Sequence, residues 1–322
     1  MRIIADWTAN MLDFRAVTFV GGNIVIDADG GDDTIYGTDG AEKIYAGYGK
    51  DVVNAGGGDD AIVAGGGNDT VDGGEGSDTY LVSGNKAGGW SSFQDYDTYK
   101  DSGLAGTDTI KAVGIGNVDI GLAKFDASNG IDAIDGTGAT GNVRLLGGWA
   151  SDSFDFSKVT FAGNNITIDT DGGNDTVVGS AGNDKIYARS GNDTVNGGAG
   201  SDLIAGGEGK DTLAGGLDAD HFRFDTALSK ANNVDTITDF EAGVDHLDLA
   251  AAIFGKLGAP GTLAADKFVV GAKAVDANDH IIYNATTGVL SYDADGNGAG
   301  AQVAFAQLSA GLALTHNDFL IV

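Results

Sequence analysis

The amino-acid sequence predicts an all-β protein: two parallel β-rolls, a form of β-solenoid, joined by irregular β-solenoid segments and closed by a β-rich C-terminal region. Three observations predict it. A nine-residue period runs through two blocks, residues 28–81 and 170–223, and each period sets one large apolar residue among glycine and aspartate. Both blocks lie inside a longer duplication, because residues 2–82 align with 144–224 without a gap at an offset of 142. The 322 residues include 55 Gly but 1 Pro, whereas disordered low-complexity chains usually combine the two.

The duplication is plain where "LDFRAVTFVGGNIVIDADGGDDTI" (12–35) faces "FDFSKVTFAGNNITIDTDGGNDTV" (154–177), and Trp7 pairs with Trp149. Six units fill each block. In the first they begin at residues 28, 37, 46, 55, 64 and 73, with an acid in the sixth place: Asp33, Glu42, Asp51, Asp60, Asp69 and Asp78. The eighth place is apolar: Ile35, Ile44, Val53, Ile62, Val71 and Tyr80. In the second block the acids are Asp175, Asp184, Asp193, Asp202, Asp211 and Asp220, and the apolar residues are Val177, Ile186, Val195, Ile204, Leu213 and Phe222.

Each unit reads as a six-residue glycine turn followed by a three-residue strand. Glycine permits positive φ and close approach of main chain. Side chains alternate along a strand, so only the central apolar residue is expected to point inward. Two units then close an 18-residue coil, and stacked coils bring the sixth-place acid of one unit near that of the unit two further on. Only Glu42, Glu75, Glu208 and Glu241 interrupt the aspartates among the 47 acidic residues. That preference fits short, positioned carboxylates in turns or around metal. Stacked carboxylates without metal would repel, and an oxygen-only ligand set suits calcium.

These units resemble the RTX repeats, "G-G-x-G-x-D-x-U-x", of secreted bacterial proteins, a calcium-binding β-helix motif. The resemblance implies inter-turn sites pairing Asp33 with Asp51, Glu42 with Asp60, Asp51 with Asp69, Asp60 with Asp78, Asp175 with Asp193, Asp184 with Asp202, Asp193 with Asp211 and Asp202 with Asp220. It adds main-chain carbonyls as ligands, including those of the fourth-place glycines Gly31, Gly40, Gly49, Gly58, Gly173, Gly182, Gly191 and Gly200. About eight Ca2+ ions are implied. Glu42, and Asp218 in place of a fourth-place glycine, depart from the pattern.

Domain organisation follows. Residues 1–82 are irregular β coils with the first roll, and 83–142 are a connecting β segment that continues the solenoid rather than forming a plain linker. Residues 143–224 repeat the coils and roll, and 225–322 form a C-terminal cap. Ahead of each block, "VTFVGGNIVIDADG" and "VTFAGNNITIDTDG" read as short strands joined by Gly-Asn turns. From Asp220 onward the pieces "DTITDF" (235–240), "GVDHLDL" (243–249) and the final "DFLIV" are similar to the C-terminal region of serralysin-like and other type I secretion substrates. This resemblance implies an uncleaved export signal read by an ABC transporter complex. In "DADGNG" (293–298), Asp293 and Asp295 read equally as minor calcium ligands or as an Asp-Gly β-turn.

The net charge of −29 argues against nucleic acid and anionic membrane as partners. Without cysteine, disulfides and thiolate sites are excluded. "MRIIADWTAN" lacks the apolar core of a Sec leader, and no run of about 18 apolar residues suggests membrane insertion. The histidines, His221, His246, His280 and His316, are scattered, so zinc is not expected, and no H-E-x-x-H, G-x-S-x-G or P-loop occurs. No catalytic residue is expected. Trp7, Trp90 and Trp149, with Tyr96 and Tyr99, offer a sugar-stacking surface, although paired core tryptophans are the preferred reading. The expectation is an extracellular or cell-surface calcium-binding protein. It is exported unfolded, folds on calcium, and serves a structural or adhesive role, with self-assembly through a coil end exposed at Met1. The alternatives are the calcium and export tail of a larger secreted hydrolase or epimerase, and a calcium-dependent lectin for acidic polysaccharide.

Overall fold

The structure, a computed structural model, describes residues 1–22, 24–84, 95–163 and 165–322. It is built almost wholly from short strands, and the helices among the described residues are three 3-10 turns. The chain divides into two compact units, Met1–Gly148 with Ser153–Thr167, and Trp149–Asp152 with Ile168–Val322.

In the first unit an eight-stranded parallel sheet runs Arg2–Ile4, Ile24–Asp27, Glu42–Tyr48, Ala61–Gly66, Thr79–Ser83, Thr109–Gly114, Ala133–Ala139, Thr160–Ala162. A five-stranded parallel sheet runs Thr98–Lys100, Thr70–Glu75, Val52–Gly57, Thr34–Tyr36, Met11–Asp13. Successive repeat units alternate between the two sheets. The register is 18 residues, for Ile44 stands beside Ile62 and Val53 beside Val71. The parallel β-roll read from the period is therefore the fold.

The eighth-place residues are buried as expected, with Ile35, Ile44 and Val71 fully inaccessible. They are not the only inward column. Several strands run on past the apolar residue, so the first residue of the next unit faces the same way two positions later. Ala28, Ala46 and Ala55 occupy that place and are also fully buried. The interior thus holds one large and one small column, and the nine-residue unit places both.

Beyond the repeats the coils lengthen. Thr98–Lys100 pairs in register with Thr70–Asp72, and Thr109 with Thr79, over intervals of 28 and 30 residues instead of 18. One sequence expectation needs correcting here. Thr160–Ala162 is a strand because it lies beside Ala133–Asp135. Its counterpart Thr18–Val20 in the first copy is irregular, with Val20 fully exposed, and no strand stands beside it among the described residues.

In the second unit one face stacks Lys185–Tyr187, Leu203–Ala205, His221–Phe224, His246–Leu249 and Phe319–Ile321 in parallel. Gly261–Thr262 then pairs antiparallel with the last of these. The other face stacks Thr176–Val178, Thr194–Ala199, Thr212–Leu217, Asp235–Ile237 and Val303–Gln307. An antiparallel Ile281–Asn284, Val289–Tyr292 and Val303–Gln307 arrangement follows. The C-terminal "DFLIV" is consequently an inner strand, with Phe319 fully buried. Asp318 fixes its start by accepting the Gly243 amide at 2.7 Å and the Thr315 amide at 2.6 Å. Phe224, Phe254, Phe305 and Tyr292 pack edge to face beneath the meander.

Candidate metal centre

Stacking at an 18-residue interval places each sixth-place acid directly over the next. In every case the backbone amide of the earlier acid donates to Oδ1 of the later one. Asp33 donates to Asp51, Asp51 to Asp69 and Asp60 to Asp78 at 2.8 Å, and Glu42 to Asp60 at 2.6 Å. In the second copy Asp175 donates to Asp193 and Asp184 to Asp202 at 2.8 Å, and Asp193 to Asp211 and Asp202 to Asp220 at 2.9 Å. The eight pairs read from the sequence are brought together.

In nine of the twelve sixth-place acids one carboxylate oxygen is thus spoken for and the other is not. The Oδ2 atoms of Asp33, Asp51, Asp60, Asp69, Asp78, Asp175, Asp193, Asp202 and Asp211 are buried without a hydrogen-bond partner. Buried polar atoms are almost always paired, and an unpaired buried carboxylate oxygen costs more than a neutral one. Burial, with the neighbouring carboxylates adding to it, pushes Asp60 and Asp202 up to about 8, and Asp69, Asp108 and Asp193 up to about 7. These groups resist ionisation unless a cation neutralises them.

Main-chain oxygens line the same gaps. A Cβ built on Gly49 would lie 2.1 Å from the Gly31 carbonyl oxygen, and one on Gly191 would lie 1.4 Å from that of Gly173. At Gly49, Gly67, Gly76, Gly191 and Gly209 the carbonyl of the preceding coil occupies the space a side chain would need. Gly58 and Gly200 share their positive φ. Oxygen ligands only, anionic and carbonyl together, are the donor set of a hard divalent cation.

Two turns are built otherwise. At 37–42 the Thr38 hydroxyl donates to Glu42, whose Oε2 also accepts the Thr38 amide at 3.1 Å. At 179–184 the Ser180 amide and hydroxyl donate to Asp184 at 2.6 and 3.1 Å. Gly40 and Gly182 accordingly lack the positive φ of their counterparts, and their amides donate to the Thr38 and Ser180 hydroxyls. Asp184, which follows the sequence motif, behaves here like the divergent Glu42. Asp218 is the reverse case: it replaces a glycine yet keeps the left-handed conformation, at φ 76°.

The ladders also run past the repeats. Asp97, Asp108, Asp235 and Asp245 accept the amides of Asp69, Asp78, Asp211 and Asp220, and Asp108 in turn donates to Asp132 at 2.9 Å. The period ends before these residues, but the tetrapeptides that contain them persist: "DTYK", "DTIK", "DTIT" and "DHLD". A second ladder joins the fifth-place residues in the opposite sense, with Lys50 N–H donating to Asp32 and Lys210 N–H to Asn192, each at 2.9 Å.

Other candidates lie elsewhere. Asp293 accepts the Asp295 amide at 3.2 Å and Asp295 the Gly300 amide at 2.9 Å, so both carboxylates close their own loop. The preferred reading as core residues is corrected for Trp7 and Trp149. They are 68% and 72% exposed and lie against Gly30 and Gly172, where a side chain would meet the indole rings. Trp7 stacks on Tyr48 with centroids 6.1 Å apart. Tyr99 is buried and donates to Asp97, Tyr96 donates to the Gly147 carbonyl, and Trp90 lies outside the described residues. His221 and His246, distant in sequence, stack at 5.1 Å, with His221 Nδ1 2.9 Å from Asp248.

The fold and its inter-turn carboxylates define a parallel β-roll of nonapeptide repeats. The family model for the RTX calcium-binding nonapeptide repeat matches in four copies, at residues 21–47, 45–80, 169–204 and 189–222, so the chain carries two arrays of these repeats. Among solved structures, the chain is similar to the solution structure of the AlgE6R3 subunit from the Azotobacter vinelandii mannuronan C5-epimerase. The identity is 21%, the match covers 61% of this chain and 83% of that one, and the TM-score is 0.25. No curated protein matches. Among the described residues no helix is long and apolar enough to cross a membrane.

Proposed function

We propose that the sixth-place acids, with the fourth-place carbonyls beside them, hold one Ca2+ ion in each of the eight inter-turn gaps, and that this binding folds the chain. The observation that carries the reading is the row of nine buried Oδ2 atoms with no hydrogen-bond partner. Each is a buried carboxylate oxygen that a cation would satisfy on ionisation, with backbone carbonyls close by in the same coils. Without the ion the like charges oppose closure of the coils; with it, the binding free energy becomes folding free energy. Extracellular modules of this ligand type work at roughly millimolar calcium, which is consistent with a chain that stays unfolded during type I export and folds outside the cell.

The role is that of a structural or adhesive surface protein. It is supported by the exposed apolar residues Met1, Ile4, Trp7 and Met11 on and beside the outermost strands of the first unit's sheets. Outer strands of this kind present unpaired main-chain groups to another strand. Far-ultraviolet circular dichroism and sedimentation velocity, each with calcium and with chelator, test both halves. The reading expects β signal and oligomers with calcium and an expanded monomer without it. A spectrum indifferent to chelator would overturn the folding claim, and a strict monomer at high concentration the assembly claim.

A further inference from the structure

The first roll ends in a gap unlike those inside it. Thr79 pairs with Thr109 at an interval of 30 residues instead of 18, and Asp101 enters the gap from a position that is alanine or glycine in the repeats. The register fixes this: Val71 stands beside Tyr99 and Asp72 beside Lys100, so Gly73 is followed in its column by Asp101. Gly73 has no side chain to fill the column, and a Cβ there would lie 2.2 Å from Asp78 Oδ2. The carboxylate of Asp101 takes the available space and accepts the Gly74 amide at 3.1 Å.

Three carboxylates meet as a result. Asp78, Asp101 and Asp108 are all buried, and one oxygen from each lies within 4.8 Å of the other two. Asp78 is fully inaccessible, its Oδ1 accepts the Asp60 amide, and its Oδ2 has no hydrogen-bond partner. The Asp78 amide donates to Asp108 Oδ1 at 2.7 Å, which fixes the second carboxylate. No ion pair found among the described residues reaches any of the three: the nearby cation Lys100 is engaged by Asp72 at 3.0 Å. Calcium–oxygen distances of about 2.3–2.6 Å span about 5 Å across the ion, so a single cation can touch all three.

We propose that Asp78, Asp101 and Asp108 form an additional divalent-cation site that closes the C-terminal end of the first roll. Asp101 and Asp108 lie outside the nonapeptide pairs, and the site rests on the proposed function through Asp78, the last acid of the first ladder. Three carboxylates in place of two give it the higher ligand charge, and ligand charge raises affinity in calcium sites. It therefore fills first as calcium rises and pins the irregular coil onto the last repeat. The second copy places Asp239 comparably, but there both oxygens already accept amides, from Gly215 and Gly216 at 3.0 Å each. The three-carboxylate grouping is found in the first copy alone among the described residues.

The test is a calorimetric calcium titration of the full chain and of Asp101→Asn, with circular dichroism of both at saturation. The proposal expects the variant to bind one ion fewer and to lose the tightest class of sites. An unchanged count with unchanged affinities in a folded variant would overturn it, and a wild-type chain that binds no calcium would overturn the proposed function as well. Because Asp101→Asn can also impair folding, a second measurement uses wild-type crystals grown with terbium. An anomalous peak ligated by all three carboxylates is the expected result. No peak there, or a peak that Asp101 does not touch, would overturn the proposal.

Discussion

At Gly191 the backbone has φ 144° and the Gly173 carbonyl stands where a side chain would go. Gly191→Ala should therefore cost about 1–3 kcal/mol from backbone strain, with the displaced carbonyl adding to the loss. Gly255→Ala, at a surface position with nothing closer than 3.9 Å to its Cβ, should stay within about 0.5 kcal/mol. Urea unfolding of both variants at saturating calcium measures the difference; equal midpoints would contradict the close-approach argument. At this scale the sequence was legible wherever the nine-residue period held, because position alone told an inter-turn aspartate from the many others. It was not legible at Asp97, Asp108, Asp235 and Asp245, where the intervals to the preceding ladder residue become 28, 30, 24 and 25. The exposure of Trp7 and Trp149 was not legible either, because large aromatics are usually buried, whereas these coils hold an interior of one large and one small column.

At the scale of the coil, strand pairing and carboxylate stacking share one register, so the same 18-residue interval that aligns Ile44 with Ile62 aligns Glu42 with Asp60. Local hydrophobic pattern could reveal the strands but not the Thr38 and Ser180 hydrogen bonds that close two turns from within, since these depend on a hydroxyl in one place of one unit. The ladders also fix the pH behaviour. Folded-state values near 7 for Asp69 and Asp193, and near 8 for Asp60 and Asp202, stand well above the ordinary value of about 3.9. For a raised group the stabilising contribution is complete below the unfolded value and is lost as pH rises through the folded one. The calcium-free fold is thus favoured by acid, and this contribution is lost as pH rises through about 7–8. Calcium needs the deprotonated carboxylates, so its binding releases protons and tightens with pH. The half-saturating calcium concentration should fall between pH 6 and pH 8, with proton release measurable in a weakly buffered titration. A midpoint independent of pH would contradict the raised values.

At the scale of the whole molecule, repeats of this kind contact mainly their neighbours, so stability accumulates from coil to coil. The nine unsatisfied carboxylate oxygens are spread through both arrays, which makes the loss of calcium a loss everywhere at once. The C-terminal strand Phe319–Ile321 is held between two others, and its place within the stack was hidden from sequence because only tertiary pairing with residues near 247 and 261 defines it. The most direct measurement is amide hydrogen exchange, resolved by peptide, with calcium and with chelator. The account predicts strong protection across residues 33–81 and 175–222 in calcium and its collapse in both arrays on chelation. Protection that persists unchanged in chelator would contradict the claim that calcium closes the coils.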